Sequence, residues 1–359
     1  MTVRGAIRNA AKHLVLGMHG SVLHEALYLG RRMGAPHEID DCIDKFSKSE
    51  RMSQDARKRL RHSIQRDMRT HLIIPAEYFL YDFPSKSEAQ KREFVGDMER
   101  TVLCARMYNS VPEGMVFMDK MKTYQVFSAF FQREVIEVRA STDFESYKAF
   151  ATRHGAYMVK PPASSRGEGI HKAEAPHDDK GLREAFEALM QEAPVVLEEL
   201  IDQGEDMARL HPQSVNTVRY ATYCEGDRIT TLCCFVKIGC GSSVVDNGGA
   251  GGFLAAVDED TGVVTTPGRT EFGKTVDVHP DTGVGIVGYQ MPQWDELKKI
   301  VSQLVRVLPQ QKYVGWDLAF SGTKGWVLVE GNSGGQFVGP QISTGKGIRP
   351  LVQATFGSL

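Results

Sequence analysis

Cysteine is scarce: six occur in 359 residues (Cys42, Cys104, Cys224, Cys233, Cys234 and Cys240), none in a C-x-x-C pair. That excludes a disulfide framework or structural zinc site as the leading expectation and favours reduced thiols buried on strands. The chain also lacks any run approaching ~18 apolar residues. Its most apolar window, 232–257, carries Lys237 and Asp246 and is full of glycine, so no membrane-spanning helix is expected. The opening residues have the positive charge of a secretory leader but no apolar stretch of ~7 or more, which makes a cytoplasmic protein the expectation. A phosphate loop of the form G-x-x-x-x-G-K-[ST], a G-x-S-x-G nucleophile and the H-E-x-x-H metal spacing are all missing. Gly283, Gly285 and Gly288 spell G-x-G-x-x-G, but no apolar strand precedes them and Pro292 follows. A dinucleotide turn requires strand, turn and helix in that order, so the match is set aside, and nearby His279 reads as structural.

What is present is ordinary globular composition, 42% hydrophobic and 25% charged, at a length that suits two or three domains. The net charge of −2 hides an asymmetry. Residues 1–71 hold 14 Lys+Arg against 8 Asp+Glu, leaving 29 against 37 for the remainder. The front reads as helical: Val3, Ile7, Leu14 and Met18 recur at helical spacing beside Arg4, Arg8 and Lys12. A second basic run, 56–72, keeps the same period. Basic amphipathic segments suit contact with a membrane surface or an anionic polymer, so peripheral membrane association is an expectation, with a solvated face as the alternative and nothing pointing to nucleic acid. A further helix is expected from Ser87 to about Tyr108. From about Val111 short β-branched runs alternate with helical stretches at Lys120–Phe131, Asp143–His154, Lys180–Gln191 and Gln293–Leu308. The fold class is therefore α+β, with a helical region at 1–110 and a body at 111–359.

Three segments can carry chemistry. In FSGTKGW a two-residue turn centred between Thr323 and Lys324 places Asp317 opposite Glu330, and Asn332 shares Glu330's face. Like charges opposite one another destabilise a sheet unless a proton or cation intervenes. An all-oxygen set of this kind suits Mg²⁺; unrelated surface carboxylates are the other reading. In YMVKPPASSRGEGI a strand ends at Lys160 and enters a loop where Ser164, Ser165, Arg166, Gly167 and Gly169 can close over phosphates. An ordinary surface turn is the alternative. VVLEELIDQGED, 195–206, is an apolar strand running into an acidic loop that can offer backbone groups to a base and a carboxylate to ribose; an ordinary strand leading into an acidic loop is the alternative.

The order of these elements resembles the ATP-grasp superfamily and, within it, the sugar-transfer associated ATP-grasp proteins. The stretches that carry the resemblance run from PAEYFLYDF and MDKMKTYQVF through HPQSVNTVRYAT and VDNGGAGGFLAAVDEDTG to GWDLAFSGTKGWVLVEGNSGG, covering residue 72 to the end. The resemblance implies ATP held between two α+β subdomains, approximately 111–195 and 196–359. Lys120 and Lys160 would meet the phosphates, with 164–169 as lid. Glu198, Glu199, Leu200 and Ile201 would form the hinge at the adenine, and Glu205 would meet the ribose. Asp317, Glu330 and Asn332 would bind Mg²⁺, with Arg219 and Lys237 as catalytic cations that stabilise the transferring phosphoryl group. Asp246 and Asn247 are candidates at the reaction centre, a glycine-rich turn being the alternative. The implied activity is a carboxylate–amine ligase passing through an acyl phosphate, in polysaccharide or cell-surface glycan biosynthesis, with small-molecule or glycan-linked carboxylate and amine substrates. A phosphotransferase acting on a hydroxyl and a non-catalytic ATP-binding scaffold remain alternatives.

Overall fold

The computed structural model describes residues 36–47, 52–100, 111–163, 169–242, 251–270 and 273–357. The expected helix around Val3 to Met18 lies outside these residues. Three bodies of structure follow one another along the chain.

The first is helical, with α1 (Pro36–Phe46), α2 (Gln54–His71), α3 (Pro75–Leu80) and α4 (Glu88–Arg92). Ile39, Ile43, Ile64, Met68, Ile73 and Phe83 form its core. Ser53 caps α2 by accepting from the Ala56 N–H, satisfying one of the helix's orphan donors. The long helix expected over 87–108 is broken. Helix α4 ends at Arg92 because the chain must pass Gly96 directly against the Leu72 carbonyl, a contact that leaves no room for a Cβ.

The second body is a four-stranded antiparallel sheet of β1 (Val135–Val138), β2 (Ala156–Lys160), β3 (His171–Glu174) and β4 (Val195–Glu199), in the order β1-β4-β2-β3. Strand β4 spans the 195/196 position and pairs with β1 and β2 throughout, so it belongs wholly to this sheet. The helices at Phe144–His154 and Asp179–Glu192 cover one face with Phe144, Tyr147, Phe150, Leu182 and Phe186.

The third is a seven-stranded antiparallel sheet in the order β11-β10-β5-β6-β7-β8-β9. Its strands are β5 (Thr217–Glu225), β6 (Arg228–Ile238), β7 (Phe253–Ala256), β8 (Gly268–Arg269), β9 (Thr275–Val276), β10 (Tyr313–Ser321) and β11 (Gly325–Ser333). Even-numbered residues such as Val218, Val236, Trp316 and Leu318 enter the main core, where α5 (Lys120–Phe131) and α6 (Trp294–Val307) pack. The period of two then sends Arg219, Lys237 and Asp317 to the opposite face. Among the described residues no helix is long and apolar enough to cross a membrane.

Helical front and body are joined. Arg349 pairs with Glu99 at 2.7 Å and donates to the Phe94 carbonyl at 2.8 Å. Buried Gln341 donates to Val95 O and Tyr81 Oη and accepts from Val95 N.

Candidate active site

The two sheets meet at a cleft of about 660 Å³. Its walls include Lys120 and Lys160, Glu198 through Ile201, and Lys237, Asp317, Glu330 and Asn332. Residues far apart in sequence are thus brought to one cavity, each by a local cause.

Lys120 stands at the first turn of α5 because Asp119 caps that helix, accepting from Met121 N and Lys122 N at 2.9 and 3.1 Å. The Lys120 backbone N–H donates to Pro162 O at the entrance to the glycine loop. Burial, aided by the charge of Lys160, lowers the pKa of the Lys120 ammonium. Lys160 ends β2 and pairs with Glu198 at 2.8 Å. Ser164, Ser165, Arg166 and Gly167 lie outside the described residues, as do Asp246 and Asn247. Gly169 has φ +73 and packs against Pro161, a backbone position that favours glycine.

The β10–β11 hairpin places Asp317 opposite Glu330, but not by the turn expected. Ser321 pairs with Gly325 across a three-residue loop, Gly322–Lys324, which shifts the register near the tip by one. A bulge at Val329 takes up that residue and restores the Asp317–Glu330 pairing. Side chains of Ser321 and Thr323 bind Asp202, and Gly204 N donates to Phe320 O at 2.8 Å, so the segment after β4 is strapped to the hairpin tip.

Asp317 is buried and does not stand alone. Arg219 donates Nε to its Oδ1 and Nη2 to its Oδ2 (2.7 Å), and Lys237 reaches Oδ2 at 2.8 Å. Burial would raise this carboxyl's pKa, but the two cations outweigh it and hold Asp317 well below the usual carboxylate range. Glu330 is exposed to the cleft, yet the protein crowded around its carboxyl, together with the Asp317 charge, raises its pKa. Asn332 Nδ2 bridges the pair, 3.1 Å from Glu330 Oε1 and 3.4 Å from Asp317 Oδ2. An acid crowded by its neighbour's charge and facing a cavity is a group that a cation relieves. Asp317, Glu330 and Asn332 are thus the oxygen-bearing side chains that would hold one Mg²⁺, Asn332 by turning its Oδ1 inward in place of the Nδ2 that bridges the two carboxylates.

Other expected residues stand differently. Glu198 lines the cleft, yet its carboxylate is committed to Lys160 and to Arg133 (Nη2, 2.9 Å). Burial pushes its pKa up, but these two cations hold it at about 2. Glu199 accepts from Lys324 Nζ and from Glu134 N, both at 2.8 Å. Leu200 and Ile201 give an apolar wall. Glu205 begins a one-turn helix, Glu205–Ala208, is exposed, and does not line the cleft. Arg219 stands behind Asp317 and is not among the lining residues. Sequence reasoning missed Arg133, which lies between α5 and β1. His279 is buried, with Nε2 2.8 Å from Gly239 O, as a structural histidine would be.

Comparison with known proteins places these features in context. The family profile described as sugar-transfer associated ATP-grasp matches residues 99–356. No curated protein matches the sequence. Among solved structures, the chain is similar to the ATP-grasp ligase PsnB complexed with minimal precursor, at 16% identity over 71% of this chain and 68% of that one, with a TM-score of 0.41. It is also similar to D-alanyl-alanine synthetase A from Vibrio cholerae, at 11% identity over 69% and 62% of the two chains, TM-score 0.40. A third is N5-carboxyaminoimidazole synthetase from Staphylococcus aureus, at 12% identity over 68% and 52%, TM-score 0.42. The chain thus spans less than two thirds of the latter two.

Proposed function

The chain belongs to the sugar-transfer associated ATP-grasp family, and on that premise we propose that it is an ATP- and Mg²⁺-dependent carboxylate–amine ligase of polysaccharide or cell-surface glycan biosynthesis. ATP phosphorylates a carboxylate, and an amine attacks the acyl phosphate to give an amide, ADP and phosphate. The observation that carries this reading is the convergence of Lys120, Lys160, Lys237, Asp317, Glu330 and Asn332 on one cleft.

In this reading Lys120 and Lys160 bind phosphate oxygens, and the apolar wall of Leu200 and Ile201 receives the base. Asp317, Glu330 and Asn332 hold Mg²⁺, which when bound neutralises charge on the phosphates. Arg219 and Lys237 fix Asp317 in its ionised form, and Lys237, which reaches the cleft itself, stabilises the transferring phosphoryl group. No serine or cysteine nucleophile is required, because the activated intermediate is an anhydride and the protein supplies position and charge. The basic helical front is a candidate for contact with a membrane surface or a glycosyltransferase.

The test is ADP release with Mg·ATP across mixtures of amino acids and amino or acidic sugars, with mass spectrometry on each hit. A product equal to the joined substrates minus water is expected. A product heavier by one phosphoryl group would make the enzyme a phosphotransferase instead.

A further inference from the structure

Arg133 joins the two halves of the cleft from behind. It is buried, and its guanidinium meets three elements. Nε and Nη2 donate to Glu198 Oε2 on β4 at 3.1 and 2.9 Å. Nη1 donates to Leu328 O at 2.6 Å and to Phe131 O at 3.3 Å, and Nη2 lies 3.5 Å from Val329 O. The same side chain therefore grips β4 of the small sheet, the end of α5, and the bulge that sets Glu330 opposite Asp317.

The oxygen it grips is shared. Glu198 Oε2 also receives Lys160 Nζ at 2.8 Å. The lysine at the mouth of the phosphate loop is thus held by a buried carboxylate. When Lys160 turns toward a phosphate its hold on that carboxylate is shared or given up, and a buried carboxylate left without a cation is costly. Arg133 removes the difficulty, since it is always charged, forks onto the same oxygen and is anchored by the backbone carbonyls of Phe131 and Leu328.

We propose that Arg133 is a positioning residue of the nucleotide site: by keeping Glu198 compensated, it allows Lys160 to exchange that carboxylate for a nucleotide phosphate. This rests on the ATP-site reading above. It also makes Glu198 a holder of Lys160 rather than a partner of the adenine.

The two roles predict opposite results. Mg·ATP and Mg·ADP affinities are measured by titration calorimetry on the full chain, with thermal unfolding as the control for folding. Arg133→Met should weaken binding by at least about tenfold, because Lys160 is then the sole partner of a buried acid. Glu198→Gln should bind no more weakly than the wild type, because nothing then retains Lys160. The double variant should recover to within about threefold of Glu198→Gln; were the arginine merely half of a structural ion pair, Glu198→Gln alone would strand it and bind more weakly than the wild type.

A folded Arg133→Met with wild-type affinity, or a double variant as weak as Arg133→Met, overturns the inference. Should Arg133→Met not fold, weaker binding by Glu198→Gln overturns it alone. A wild type that binds neither nucleotide overturns the ATP-site reading itself, and this inference with it.

Discussion

Asp317 shows how one side chain can serve both stability and chemistry. Its carboxylate is buried with two cations on it, so removing its charge leaves Arg219 and Lys237 facing each other without compensation. Asp317→Asn should cost about 3–5 kcal/mol of stability, read as a lower denaturant midpoint, and should abolish Mg²⁺-dependent nucleotide binding. Carboxyls elsewhere titrate in opposite directions. Glu198, held at about 2, lies below its unfolded value of ~4.3, so its contribution is full above that value and lost as pH falls toward 2. Glu77 is the reverse. Burial raises its pKa to about 7, although Ile74 N and Asp97 N donate to it. The folded state then keeps a proton that the unfolded chain releases, and stability declines as pH rises from ~4.3 toward 7. Chemical unfolding at pH 5 and pH 8 should differ by up to about 3 kcal/mol from this group, more stable at pH 5, and Glu77→Gln should flatten the difference. The place of Lys160 at a strand end and the shared face of Asp317, Glu330 and Asn332 on one hairpin were legible in the sequence. Arg133 was not, since its partners Glu198 and Leu328 lie 65 and 195 residues away and no local pattern announces them.

The hairpin of β10 and β11 carries the lesson at the level of elements. Strand positions were readable from β-branched runs, and the Asp317–Glu330 pairing was foreseen, but two features of the hairpin were not. The loop is one residue longer than the glycine spacing suggested, and the bulge at Val329 absorbs the extra residue. A bulge leaves no signature in composition, because it is fixed by what packs behind it, here the Arg133 contacts to Leu328 and Val329 carbonyls. Deleting Val329 should leave a regular hairpin with Glu330 still opposite Asp317, because the three-residue loop alone pairs Asp317 with position 329, which the deletion hands to Glu330. In a thermal-shift assay that variant should remain folded and keep the stabilisation given by Mg·ATP, whereas a bulge needed for more than register would lose it. The short strands β7, β8 and β9 escaped sequence reading for a simpler reason: two to four residues give too little alternation to recognise. Gly96 explains the helix that was expected and is broken, since a close crossing over Leu72 depends on a contact remote in sequence.

At the scale of the whole molecule, the helical front is stapled to two helices beyond β11, Val338–Thr344 and Arg349–Phe356, through the buried Gln341 and Arg349–Glu99. Arg349→Ala removes a bidentate pair and the donors to two backbone carbonyls, Arg92 O and Phe94 O. Its expected effect is about 2 kcal/mol of destabilisation by chemical unfolding, with nucleotide affinity unchanged because the contact lies away from the cleft. The cleft itself has a consequence for kinetics. Among its described lining residues, Lys120, Lys160, Lys172 and Lys237 are matched by Glu198, Glu199, Asp317 and Glu330. Such a balanced wall projects little field beyond a Debye length of roughly 10 Å, so a polyanion arriving by diffusion is not drawn in from afar. Stopped-flow association of a fluorescent Mg·ATP analogue should therefore change by less than about twofold between low and physiological salt, where a steered encounter would slow much more. Capture of the nucleotide then depends on how quickly lysines change partners after arrival, not on how strongly the empty protein attracts it.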